Sequence, residues 1–138
     1  MTAKRRTQNG ASAVEFALVL PLLLLLAFGI IEFSLALYDK AMISHASREG
    51  ARAGVAFRVP PVTDEEIVNV VDTYLGSSLI SFGGPAVATT TVTRNGPNPG
   101  DELRVSVDYT YTFFLIPNFL TELTGGVHLV AATVMRME

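Results

Sequence analysis

The chain divides into a stretch with no polar face and a remainder in which polar and apolar residues recur with definite periods. From Phe16 to Ile31, "FALVLPLLLLLAFGII", sixteen residues carry no formal charge, and after Glu32 the apolar character resumes through Tyr38. As an α-helix the uncharged part covers roughly 24 Å, slightly short of a hydrocarbon core of about 30 Å. Extension to Tyr38, with Glu32 near the far interface and within reach of water, closes the gap. Five consecutive leucines, Leu22 to Leu26, leave no polar side, which reads as a membrane helix rather than a buried core helix. Pro21 lacks an N–H, so a kink or local unwinding is expected toward Ala17.

Past the span the pattern stays helical. Met42, Ile43, Ala46, Gly50, Ala53, Gly54 and Phe57 recur at helical spacing, while His45, Arg48, Glu49 and Arg52 fall mostly elsewhere, so the helix is expected to continue to Phe57. Ala46, Gly50 and Gly54, each four apart, form a small-residue stripe that permits close backbone approach. It packs on the protein's own sheet or on a neighbouring helix, and packing within the domain is the simpler reading. Pro60-Pro61 then breaks the chain, and "TDEEIVNVVDTYL" predicts a second helix. Thr63 is its N-cap with Glu66 three residues on, the capping-box pattern, and Ile67, Val70, Val71, Tyr74 and Leu75 form its apolar face.

After Gly83-Gly84-Pro85 the period becomes two. "AVATTTVTR" is β-branched and alternating, "NGPNPG" is a turn, and "ELRVSVDYTYTFFL" sets Leu103, Val105, Val107, Tyr109, Tyr111 and Phe113 on one face. The Tyr and Phe stripe reads as a core face. A third strand, Val127 to Met137, follows the apolar segment "IPNFLTEL". The fold class is therefore α+β: a long N-terminal helix, a second helix and a three-stranded antiparallel meander.

Charge adds an orientation. Formal net charge is −3, but Lys4, Arg5 and Arg6 form a basic tip with no acid among the first ten residues. Without those three of the ten basic side chains, seven face thirteen acidic ones. Such a remainder is a poor binder of polyphosphate, and no basic patch interleaved with aromatics follows, so nucleic acid is not an expected partner. Asp39 and Lys40 cancel on the far side of the apolar run. The positive-inside rule then places the N-terminus in the cytoplasm and residues 40–138 outside it. An ordinary secretory signal would carry its small-residue cleavage triplet after the apolar run. Here "ASA", Ala11 to Ala13, precedes it.

Catalytic chemistry has no constellation to rest on. The chain has no cysteine, no Gly-rich phosphate loop after a strand and no serine elbow. His45 and His128 lie far apart; His45 reads as a helix-surface residue and His128 as a strand residue facing away from Leu129. Asp64, Glu65 and Glu66 suit a helix N-terminus better than a metal site. No catalytic residue, metal or cofactor is expected.

Glu15 is the anomaly, because a carboxylate at the start of a membrane segment is costly. If the chain is cut after Gly10, Ala11 becomes a new N-terminus with a positive α-amine, and Glu15 stands one turn along. There the helix macrodipole favours an acid. Its charge also has an α-amine to meet, its own or a neighbouring subunit's.

At these residues the sequence resembles the type IV pilin-like proteins, and within them the TadE-like pseudopilins of tight-adherence (Flp-type) pilus systems. The resemblance rests on the short basic leader, "NG/ASAVEF" with Glu15 followed by Phe16, "LVLPLLLLLAFGIIEF" and "ISHASREGARAGV", and it extends to the closing "LVAATVMRM". It implies cleavage after Gly10 by a membrane aspartic prepilin peptidase, then assembly with other pilins and pseudopilins at an inner-membrane platform. Major Flp pilins are much shorter and usually carry Tyr after the acid. Phe16 and a full C-terminal domain therefore point to a minor subunit.

The resulting expectation is a cleaved leader over residues 1–10, an N-terminal helix over 11–58 that is transmembrane at about 14–38, and an extracytoplasmic pilin-like domain over 59–138. Gly10 and Ala11 are the processing site, Glu15 and Phe16 serve assembly, and Ala46, Gly50 and Gly54 serve helix packing. Partners are the peptidase, sister pilins, the platform and membrane lipid. The alternative is an uncleaved, membrane-anchored binding or sensor module.

Overall fold

The computed structural model describes residues 6–81, 86–96, 98–113 and 126–137, with the side chains of α1 described from residue 10. Its elements are α1 (Arg6–Val55), α2 (Asp64–Leu75), β1 (Ala88–Arg94), β2 (Glu102–Tyr111) and β3 (Val127–Arg136). This is the expected α+β order. The leader residues Lys4 and Arg5, the Gly83-Gly84-Pro85 break and the apolar segment at 116–123 lie outside the described residues.

The 50 residues of α1 form one unbroken helix, about 75 Å long at 1.5 Å per residue. Pro21 sits inside it, and the expected local unwinding is absent. Long helical stretches on both sides hold the turn that lacks one N–H donor. From Gly10 to Ile31 no side chain is buried. At Glu32 this changes, and Glu32, Ala36, Asp39, Ile43, Ala46, Gly50 and Gly54 are buried in succession. Their spacing of three and four residues is one face of a helix, and that face lies on the sheet.

The helix ends at Val55, two residues before the sequence pattern suggests, and Phe57 is 81% exposed. Two prolines follow closely, and a residue before proline is driven to extended backbone. Once the helix stops, Phe57 no longer projects over the preceding turn.

α2 starts where its capping chemistry dictates. Thr63 Oγ1 accepts from the Glu66 N–H at 3.2 Å, and the Glu66 carboxylate accepts from the Thr63 N–H at 2.9 Å. Arg58 donates to the same carboxylate at 2.6 Å, and that ionic hydrogen bond holds Glu66 below the usual carboxylate range. Ile67, Val71 and Leu75 are buried, whereas Tyr74, expected on this face, is 43% exposed.

The sheet is a meander with β2 in the centre and both pairings antiparallel. In β2 the residues Leu103, Val105, Val107, Tyr109 and Tyr111 are buried and point at α1, as the period-two pattern requires. The β1–β2 turn is closed by Asp101, whose carboxylate accepts from the Asn98 N–H at 2.8 Å. Gly100, at φ +94°, supplies the backbone angle that side-chain-bearing residues rarely adopt.

The helix reaches the sheet closely because Gly50 and Gly54 lack a Cβ. A Cβ on Gly54 would stand 2.5 Å from both Ile67 Cδ1 and Leu103 Cδ2, and one on Gly50 would stand 2.5 Å from Val71 Cγ2. The small-residue stripe is therefore consumed inside the domain, against α2 and β2. Gly54→Leu is expected to destabilise the domain by about 1–3 kcal/mol through overpacking. Gly29→Leu, where a Cβ would meet nothing within 4 Å, is the control. Thermal melts of the full chain in detergent micelles, followed by circular dichroism, measure the difference. Equal midpoints would show that the close approach is not required.

Candidate functional site

Two features stand outside ordinary core packing: the apolar half of α1 with its acid, and the polar seam where that helix meets the domain. The first is an exposed rod. Its most apolar 18-residue window has mean hydropathy 2.6, and none of that window is buried. A core helix of similar composition would be covered by its own fold. This one is long and apolar enough to cross a membrane. Phe16 is 61% exposed and Leu18 75% exposed. Gly10 and Ala11 lie on the helix with open space around them. Glu15 is exposed, and among the described residues it forms no hydrogen bond or ion pair. Nothing described in its own chain neutralises it.

The seam begins at Glu32. Sequence reasoning puts this acid near the far interface with access to water, but it is 1% exposed. The Tyr111 hydroxyl donates to Glu32 Oε1 at 2.8 Å. The error has a physical cause: the last buried residue of β2 reaches the helix here, so the domain covers the side of α1 that carries the acid. Burial, and secondarily the Glu32 carboxylate, push the Tyr111 phenol well above the ordinary tyrosine value. Phe113 packs edge-on to the Tyr111 ring, 5.6 Å between centroids.

Two turns along the same face Asp39 is fully buried, and Asp39 Oδ1 accepts the Ile80 N–H at 2.9 Å. The Ile80 carbonyl in turn accepts from the Tyr109 hydroxyl at 3.0 Å. Burial raises the Asp39 carboxyl above its ordinary value, opposed by the Ile80 N–H. Beside it the Lys40 ammonium donates to the Val130 carbonyl of β3, and further along Ser47 Oγ and Thr133 Oγ1 are 2.8 Å apart. Two acids on the helix thus match two tyrosines at alternate positions of β2. The sequence carried a signal for this: Glu32 and Asp39 stand seven apart, on the stripe that continues through Ile43 and Ala46.

The remaining candidates stay dispersed. His45 is exposed on α1 and His128 on the outer face of the sheet, where its Nδ1 lies 3.8 Å from Asp108 and 3.3 Å from Thr110 Oγ1. Asp64, in the first turn of α2, accepts from Arg94 at 2.7 Å. Among the described residues no group of three or more His, Asp or Glu is placed to hold a metal ion. At the end of the domain away from Tyr111, an open groove of about 480 Å³ is lined by Phe57, Arg58, Val62, Arg94 and Met137. It contains no acid–base pair.

The seam yields two expectations. Tyr111→Phe deletes one hydrogen bond to a buried carboxylate and should lower stability by about 1–3 kcal/mol, read by denaturant titration in micelles. A Tyr111→Phe chain as stable as wild type would show that the bond contributes nothing. The second concerns pH. The folded chain holds the Asp39 proton more tightly than the unfolded chain does, so the folded state binds more protons as Asp39 titrates. This group's effect on stability is therefore most favourable in acid. It worsens as the pH rises from the ordinary value of 3.8 through the raised folded value. Asp39→Asn should flatten that part of the stability–pH curve, and an unchanged slope would assign it to other groups.

Compared with known proteins, residues 10–52 match the family model of the TadE-like proteins. No curated protein and no solved structure matches the chain. The matched stretch begins at Gly10, takes in Glu15, Phe16 and the whole exposed apolar rod, and continues through Glu32, Asp39 and Gly50 on the packed face. The similarity to TadE-like proteins thus covers the apolar rod and most of the packed half of α1, and does not extend to α2 or the sheet.

Proposed function

We propose that the chain is a minor pilin-like subunit that serves assembly of a tight-adherence type IV pilus. In this reading a prepilin peptidase removes residues 1–10 and Ala11 becomes the mature N-terminus. The apolar half of α1 is held in the bacterial cytoplasmic membrane with its N-terminus inside and the α+β domain outside. The subunit acts by association with other pilins and pseudopilins and with the assembly platform, not by catalysis.

The observation that carries the reading is the TadE-like match beginning at Gly10, directly before an apolar rod that bears one exposed acid. A carboxylate that no described residue of its own chain meets suits a partner's ammonium, and a new α-amine is the nearest in kind. A pair of that sort lets both charges enter lipid together. Lys4, Arg5 and Arg6 before the rod support the orientation.

The test is the mature N-terminus. Mass spectrometry of chain recovered from cells carrying the whole pilus system should find Ala11 first, and Gly10→Leu, which enlarges the residue at the cut, should retain the leader. Glu15→Val should still insert and still be cut, yet copurify poorly with its pilin partners. A wild-type chain that retains Met1 would reject processing and favour the uncleaved anchored module. Normal copurification of the Glu15→Val chain would reject the assembly role of the acid. Glu102→Gln, on the exposed side of β2, is the neutral control.

A further inference from the structure

We propose that the folded domain makes its own contact with lipid: the end of the sheet nearest the apolar rod is seated in the headgroup–acyl boundary of the bilayer. This rests on the reading of α1 as a membrane anchor and adds to it a second lipid-contacting surface, contributed by β2 and β3.

The first observation is a length. Ala11 to Ile31 is exposed on every side of the helix, and these residues rise roughly 32 Å, enough to fill a hydrocarbon core of about 30 Å. Apolar exposure does not stop there. On the side of α1 turned away from the domain, Phe33 is 65%, Leu37 53% and Tyr38 45% exposed. Beyond Tyr38 the exposed positions of α1 become small or polar throughout, at Ala41, His45, Arg48 and Arg52, whereas below it the exposed Ser34 donates its hydroxyl to the Ile30 carbonyl of its own helix at 2.7 Å. The water-compatible surface therefore begins about 10 Å above Glu32. The polar interfacial layer is roughly 5 to 8 Å deep on each side of the core, so residues 33–38 and whatever stands level with them occupy it.

The second observation says what stands level. The Tyr111–Glu32 hydrogen bond fixes the end of β2 at the lower edge of this zone. Phe113 lies against Tyr111, and Val127, paired with Tyr111 in the sheet, is 38% exposed. The Lys40–Val130 contact marks the upper edge. There an ammonium on an apolar stem suits the headgroup level, and a tyrosine such as Tyr38 is of the kind enriched at the same depth. The occupant is lipid and not a second subunit because, among the described residues, the exposed apolar positions at this level, Phe33, Leu37 and Tyr38, directly continue those of the rod below them.

The chain contains no tryptophan, so a single introduced indole reports alone. Leu25→Trp, Tyr38→Trp, Phe113→Trp, Val127→Trp and Thr93→Trp, each in the full chain, are reconstituted in phosphatidylcholine vesicles. Bromine is placed either near the headgroup end or near the methyl end of the acyl chains. Leu25→Trp should lose emission to the deep bromines. Tyr38→Trp, Phe113→Trp and Val127→Trp should lose emission mainly to the shallow bromines. Thr93→Trp, at the opposite end of the sheet, should lose none. Quenching at position 25 with none at 113 and 127 would overturn the inference while leaving the anchor intact. Blue-shifted emission at 113 and 127 that no bromine quenches would place protein over the rim and overturn it as well. No quenching at position 25 would reject the anchor itself. Val127→Trp covers the case in which Phe113→Trp disturbs packing on Tyr111, because Val127 is already partly exposed.

Discussion

A single continuous helix has an exposed apolar half and a half packed on a folded domain, and the rest of the structure is arranged around the place where one gives way to the other. Up to Ile31 every side of α1 is open and apolar enough for a membrane; from Glu32 onward one side must suit a protein core. The residue at the change is an acid, and a bare carboxylate is costly in both surroundings. Tyr111 removes the difficulty by reaching out of the sheet to Glu32. The same bond fixes the height at which the domain sits on the helix, so one polar contact both satisfies a charge-bearing group and sets the register between helix and sheet.

Above that contact the joint tightens. Asp39, Ile80 and Tyr109 repeat the polar arrangement two turns on, and then polarity gives way to close packing at Ala46, Gly50 and Gly54. The gradient has a physical logic. Hydrogen bonds are directional and select one axial alignment, whereas glycine contacts gain from proximity and tolerate small slides. Placing the directional contacts nearest the apolar rod fixes the alignment where the helix leaves the fold. α2 completes the arrangement by covering Gly50 and Gly54 from the other side, with its N-terminus held by the Thr63–Glu66 box and by Arg58.

Much of this was legible in the residues. Local devices carry their own signatures: Thr63 with Glu66, the alternation from Leu103 to Tyr111 and the four-residue spacing of Ala46, Gly50 and Gly54 are short-range patterns, and each forms what its pattern implies. Phe57 and Tyr74 depart from their patterns because periodicity says which residues share a face but not where the helix stops or how wide the neighbouring element is. Glu32 departs from its pattern for a deeper reason. Its partner lies 79 positions away, and no local pattern states that a β-strand will end beside it. Glu15 and Gly10 were singled out by resemblance and by the oddity of an acid in an apolar run. The fold adds that Glu15 stands clear of its own domain.

The absence of any break in α1 has a geometric consequence. Each residue of an α-helix turns the next by about 100°, so the seventeen steps from Glu15 to Glu32 fix the azimuth between the two acids at about 260°. The domain is bolted to the helix at Glu32 and Asp39, so its compass bearing is set by the same count. In the proposed assembly, a neighbour that grips Glu15 therefore also dictates the direction in which the sheet faces some tens of ångströms away. Adding or removing one residue between the two acids would swing the whole domain by more than a quarter turn without altering a single contact inside it.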